Sequence, residues 1–179
     1  MTILRQPTKA GVRDAAEKIA RILPPSPIFP LQINGKTVAL KAESLQPIGA
    51  FKLRGAWHRL TALDEVSRSR GVVAFSSGNH AQGIAWAARR LGIAATIVMP
   101  ADAPPSKREG TLALGAEIVD YDRATESREL IARRLADIEV LRADPEISGF
   151  LAWVRTKPDD FHAATRMTRA RKLSRRKVS

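Results

Sequence analysis

The sequence predicts an α/β layer fold built on a parallel sheet, from three observations. From Gly71 onward, short apolar runs alternate with helical stretches of about 10 to 15 residues, the rhythm of strands joined by right-handed helical crossovers. Residues 96–99 are apolar without alternation, as in a strand covered on both faces. The 179 residues, 44% hydrophobic and 27% charged, suffice for one domain with a real core, or a small domain plus part of another.

In chain order, Val12, Ala15, Ala16, Ile19 and Ile22 recur at helical spacing between Gly11 and the Pro24-Pro25 breaker, which predicts an amphipathic helix. A proline-rich connector, residues 24–30, follows. Residues 31–33 and 37–40 flank Asn34-Gly35, the strongest short hairpin signal, and predict two antiparallel strands. A helix is predicted over 50–63, a buried strand over 72–75, and a helix over 81–91 ended by Gly92. The alternation continues with a strand at 94–99, a helix at 106–114 ended by Gly115, a strand at 117–121 and a helix at 125–136. Beyond Ala136 the pattern breaks down. Residues 138–141 read as a strand and 150–154 as a short apolar run, interrupted by Pro145, Gly149 and Pro158. The predicted organisation is an N-terminal segment of a larger domain over 1–46, a small parallel α/β domain over 47–136 and a divergent tail over 137–179.

Composition excludes several chemistries. The chain has no cysteine, which removes disulfides, thiolate metal sites and cysteine nucleophiles; three dispersed histidines argue against zinc, so no metal is expected. No apolar run approaches the roughly 18 residues of a membrane span, and no secretory signal opens the chain, so the expected compartment is the cytoplasm. The net charge of +12 divides into +8 over residues 1–136 and +4 over 137–179. Residues 164–179 hold seven Lys and Arg without an acid. That run lacks interleaved aromatics, and a solvated end is favoured over a nucleic-acid arm.

Two places could support chemistry. Ser76-Ser77-Gly78-Asn79-His80 lies where a strand ends and a helix begins, the edge at which open parallel sheets bind ligands. A helix start offers unpaired N–H groups to a carboxylate or phosphate. The same residue types also serve as ordinary caps and turns. Lys52 follows Gly49-Ala50-Phe51 in a segment apolar apart from Arg54; it is either a reactive amine or a surface lysine with a snorkelling stem. Neither His58 nor His80 has a partner identifiable from sequence, which favours structural or solvent roles. No Walker loop, GxGxxG or HExxH occurs.

The stretch from Lys41 through Glu43, Gln46 and Gly49-Ala50-Phe51-Lys52-Leu53-Arg54-Gly55-Ala56 resembles the cofactor-lysine signature of the threonine dehydratase and serine dehydratase/racemase family. Ser76-Ser77-Gly78-Asn79-His80-Ala81-Gln82-Gly83 is similar to that family's second motif. Val98-Met99-Pro100, Ser106-Lys107 and Gly115-Ala116-Glu117 follow in matching order. The resemblance covers roughly residues 8–136, the N-terminal part of the family. It implies the tryptophan synthase β-like fold type II of pyridoxal 5'-phosphate enzymes, with an incomplete large domain. Lys52 would then hold the cofactor covalently and take the α-proton, Phe51 would pack beside it, and Asn79 would hydrogen-bond its ring hydroxyl. Ser76, Ser77, Gly78 and His80 would grip the substrate carboxylate. The implied reaction is deamination of L-threonine or L-serine to a 2-oxo acid and ammonia, by an enzyme of homo-oligomeric kind.

The departures set further expectations. Ala50 stands where many relatives have serine or threonine. Ser77 stands where many dehydratases have alanine and racemases have serine, which leaves serine racemisation as an alternative. No two glycines are adjacent anywhere in the chain, so the family's glycine-rich phosphate cup is missing and residues 137–179 do not match the family. The chain is therefore expected to be a fragment of little or no dehydratase activity. The alternative of another class is a nonenzymatic remnant or binding module whose basic tail contacts nucleic acid. Ile19, Leu23, Ile33 and Leu40 are expected to lack their natural cover.

Overall fold

The computed structural model describes residues 8–142. Backbone packing groups Met1–Ala136 as one unit and Asp137–Ser179 as another. The apolar run at 150–154 and the basic run at 164–179 lie outside the described residues.

Helix α1 (Lys9–Ala20) begins where the sequence provides a cap: Thr8 Oγ1 accepts from the Gly11 N–H at 3.0 Å. Leu23, just past its end, is buried, and Ile19 and Ile22 pack against the same core. The expectation that Ile19 and Leu23 lie uncovered is corrected, because α1 packs on α2 (Lys52–Thr61) and Trp57 Nε1 donates to Lys18 O at 3.1 Å.

Strands β1 (Ile28–Ile33) and β2 (Lys36–Lys41) form an antiparallel hairpin. Its turn places Asn34 at φ 49° and Gly35 at φ 74°, the left-handed pair such a two-residue connection requires. The register sets Phe29 opposite Leu40 and Leu31 opposite Val38, so with Ile33 one face is apolar. All five side chains remain 40–50% exposed, as expected for Ile33 and Leu40.

The second sheet has the order β3-β4-β5, all parallel: β3 (Val72–Phe75), β4 (Ala95–Pro100) and β5 (Glu117–Tyr121). Helices α4 (Asn79–Leu91) and α5 (Pro105–Ala113) make the crossovers. Alternate residues of β4 serve two cores. Ala95, Ile97 and Met99 join Leu53, Ala85 and Trp86 on one face; Val98 joins Tyr121 and, from α6 (Arg128–Arg142), Ala132 on the other. That double cover is why the strand reads as a continuous apolar run. Eight consecutive residues of α4, Ala81 to Ala88, are buried, and the small side chains among them let α2 approach closely. Trp57 and Trp86 meet edge to face at 6.0 Å between α2 and α4.

The structure departs from the sequence reading at local signals. α2 starts at Lys52 rather than at residue 50, because Gly49 at φ 66° closes a turn onto Gln46 O. A short helix α3 (Glu65–Ser69) goes unannounced by periodicity, although Asp64 caps it by accepting from the Ser67 N–H at 2.7 Å. The expected strand over 138–141 is overturned: those residues continue α6 to Arg142. No glycine or proline separates them from the preceding helical turns, and extending a formed helix is far easier than nucleating a new element.

Candidate active site

The five residues 76–80 sit at the carboxyl end of β3. Ser76 N–H donates to Val98 O at 3.1 Å, the last rung of the sheet, and Gly78 N–H donates to Ser76 Oγ at 3.2 Å. Gly78 then precedes α4 and no side chain caps that helix. Its first amides and the positive end of the dipole are left facing the edge where a ligand of a parallel sheet binds. His80 has its pKa lowered, first by desolvation and then by the positive charge of Lys52. The sequence-distant Lys52 and the 76–80 loop are thus close enough to interact electrostatically.

Lys52 is the first residue of α2. Its ammonium lies 5.0 Å from the centre of the Phe51 ring, and among the described residues it has no hydrogen-bond or ion-pair partner. Both side chains are open to solvent. The backbone beneath them is held tightly. A Cβ built on Gly83 of α4 would lie 3.1 Å from Lys52 C and 3.2 Å from both Lys52 O and Leu53 N, so a side chain there would push α2 and α4 apart by a few tenths of an ångström. Leu53, fully buried, anchors the helix start in the core.

A polar network not anticipated from the sequence fixes the approach to α2. Glu43 accepts from Lys41 Nζ at 2.6 Å, from Ser26 Oγ at 2.9 Å and from Arg54 Nε at 3.2 Å. Arg54 Nη2 and Gln46 Nε2 both donate to Ser26 Oγ, at 2.7 and 3.1 Å. The Lys41 hydrogen bond, helped by Ser26 and Arg54, holds the Glu43 pKa down at about 2. Lys41, Glu43, Gln46 and Arg54 fall within the motif around Lys52, but spacing alone does not reveal that Glu43, Gln46 and Arg54 converge on the distant Ser26.

Asn79 does not stand alone at the head of α4. Lys107 of α5 donates to Asn79 Oδ1 at 2.6 Å and to Gln82 Oε1 at 3.4 Å. His58 lies elsewhere, in the last turn of α2. A groove of about 330 Å³ lined by Ala88, Arg89, Ile93, Ala113 and Gly115 is at the opposite end of α4. Among the described residues no cluster could hold a metal ion, and no helix is long and apolar enough to cross a membrane.

A family described as pyridoxal-phosphate dependent enzyme matches residues 20–144. The chain belongs to this family. The match runs past Ala136, where sequence reading ended the resemblance. The chain is 51% identical over 127 residues to L-threo-3-hydroxyaspartate ammonia-lyase of a Pseudomonas species, covering 69% of this chain and 40% of the relative. Maize serine racemase superimposes with a TM-score of 0.67 at 34% identity, over 77% of this chain and 50% of that one. A T.th. threonine deaminase does so at 0.65 and 40% identity, over 74% and 43%. The chain thus spans about two fifths to half the length of these relatives. Its α/β architecture is that of fold type II, and the family's cofactor is pyridoxal 5'-phosphate.

Proposed function

We propose that this chain holds the lysine-bearing part of a pyridoxal-phosphate site that deaminates a β-hydroxy-α-amino acid, L-threonine or L-serine, to a 2-oxo acid and ammonia. The observation behind this is the unpaired Lys52 amine, held by the Gly83 contact and electrostatically coupled to the uncapped head of α4. Those residues fit the cofactor's aldehyde end: a partner-free amine is available to hold it, with Phe51 beside it. Pyridoxal phosphate, when bound, would supply an electron sink at the substrate α-carbon. Lys52 Nζ would hold the cofactor and would serve as the base for the α-proton. Ser76, Ser77, Gly78 and His80 would grip the carboxylate at the head of α4, where desolvation and then the charge of Lys52 lower the His80 pKa and favour its neutral form. Asn79 would hydrogen-bond the cofactor's ring hydroxyl. The reaction would balance as loss of the β-hydroxyl as water and its return in hydrolysis, giving the 2-oxo acid and ammonia.

The uncapped head of α4 is assigned to the carboxylate, and the described residues contain no glycine-rich loop for the cofactor phosphate. The chain by itself is therefore expected to anchor the cofactor and turn over little. Two finer readings have their own support. The 51% identity to a 3-hydroxyaspartate lyase favours that substrate, and Ser77, half-buried in the loop, is a hydroxyl suited to racemisation. The assay is 2-oxo acid release from L-threonine, L-serine and L-threo-3-hydroxyaspartate, with D-serine formation followed in parallel. Covalent loading that survives Lys52→Ala would overturn the assignment. Rapid turnover abolished by that substitution would overturn the expectation of low activity.

A further inference from the structure

Lys107 makes an unusual demand on its neighbours. An ammonium has three donors and no acceptor, so whatever it touches must present oxygen. It donates to Asn79 Oδ1 at 2.6 Å and to Gln82 Oε1 at 3.4 Å, two amides one turn apart on α4. An unconstrained asparagine amide can exchange its oxygen and NH2 ends with little change of shape. Here the exchange would set an NH2 group against an ammonium. The oxygen of Asn79 is therefore held toward α5, and its NH2 end is turned away from α5, where no described residue accepts from it.

Gln82 is pinned from the same side. A Cβ on Gly110 of α5 would meet Gln82 Nε2, so glycine there leaves room for the amide in the position it takes. Lys107 and Gly110 are three residues apart on α5 and act on two residues three apart on α4.

We infer that Lys107 is a positioning residue: its ammonium, donating to Asn79 Oδ1, commits Asn79 to present a hydrogen-bond donor at the head of α4. The inference rests on the reading of Asn79 as a cofactor-binding residue. A committed donor selects for an acceptor on the bound group, above all an ionised ring oxygen, and disfavours the protonated form. Lys107 itself touches neither substrate nor cofactor in this scheme.

The test uses the full chain and Lys107→Met, Lys107→Arg and Asn79→Asp, each checked for cooperative unfolding. In the cofactor-free protein, NMR of the Asn79 side chain reads the contact directly. Lys107→Met is expected to move its carbonyl carbon and NH2 resonances, and Lys107→Arg to restore them. Pyridoxal phosphate binding, read by titration and by the position of the cofactor absorbance band, is expected to weaken about tenfold or more in Lys107→Met and to recover in Lys107→Arg. Asn79→Asp keeps an oxygen for Lys107 but deletes the donor; it is expected to unfold no earlier than wild type and still lose binding. Unchanged Asn79 resonances in Lys107→Met, or full binding by Asn79→Asp, would overturn the inference. Failure of the wild-type chain to bind the cofactor would instead overturn the functional reading, and the NMR comparison would still decide whether Lys107 orients the amide. A Lys107→Met chain that does not fold leaves the decision to Asn79→Asp.

Discussion

Replacing Gly83 by alanine probes the joint between the core and Lys52. In an exposed helix interior the exchange is favourable by about 0.8–1.0 kcal/mol. At Gly83 the new methyl would sit 3.1–3.2 Å from three backbone atoms of Lys52 and Leu53, against an ordinary contact of about 3.5–4.0 Å between carbons. Backbone cannot swing aside as a side-chain tip does, and Leu53 is fully buried, so α2 and α4 must separate by a few tenths of an ångström. Overpacking of this kind costs about 1–3 kcal/mol, which exceeds the propensity gain. The expected net loss is about 1 kcal/mol, a fall in Tm of about 2–4 °C for a chain of this size. Gly55, within α2 with nothing near its would-be Cβ, is the control: Gly55→Ala is expected to stabilise by about 0.5–1 kcal/mol. Urea unfolding followed by tryptophan fluorescence compares the two. Because Lys52 moves with the backbone, cofactor attachment should also fall in Gly83→Ala and persist in Gly55→Ala. Equal stabilisation by both substitutions would refute the packing argument.

Two further predictions concern pH. The Glu43 pKa is lowered from 4.5 to about 2, so its contribution to stability is complete above pH 4.5 and is lost as pH falls from 4.5 toward 2. The full shift corresponds to about 3 kcal/mol, and solvent at the partly exposed carboxylate reduces this to about 1–2 kcal/mol. Glu43→Gln should flatten that acid limb in denaturant midpoints measured across the range; an unchanged limb would contradict it. The His80 pKa is lowered from 6.5, so the folded protein takes its proton less readily than the unfolded chain, and stability should decline as pH falls below 6.5. His80→Gln should remove that component, and a His80 NMR titration at or above 6.5 would refute it.

The parallel sheet is legible in the sequence because its signals are local: apolar runs of strand length, and Gly92 and Gly115 closing the helices that join them. The hairpin is legible from Asn34-Gly35. Lys52 and the 76–80 loop stand out by residue type and sheet position, while their proximity emerges only from the packing of α2 on α4. Less visible are contacts between distant residues of ordinary kind. Ser26 reads as linker and becomes the meeting point of Arg54, Gln46 and Glu43; Lys107 reads as a helix-start lysine and becomes the partner of Asn79. Leu23 escapes sequence reading because burial by α2 depends on how α1 folds back, which periodicity does not encode. At residues 138–141 a β-branched residue at each of two positions suggests a strand, and the helix already running through them prevails.

The central claim is that Lys52 is the cofactor-bearing amine, and borohydride reduction tests it most directly. The chain incubated with pyridoxal phosphate, reduced and digested should show one dominant phosphopyridoxyl adduct among its nine lysines, on the peptide holding Lys52. Excess substrate amino acid present before reduction should diminish that adduct selectively, since it competes for the same aldehyde. Labelling spread evenly over Lys9, Lys18, Lys36 and Lys41, or unaffected by Lys52→Ala, would contradict the account.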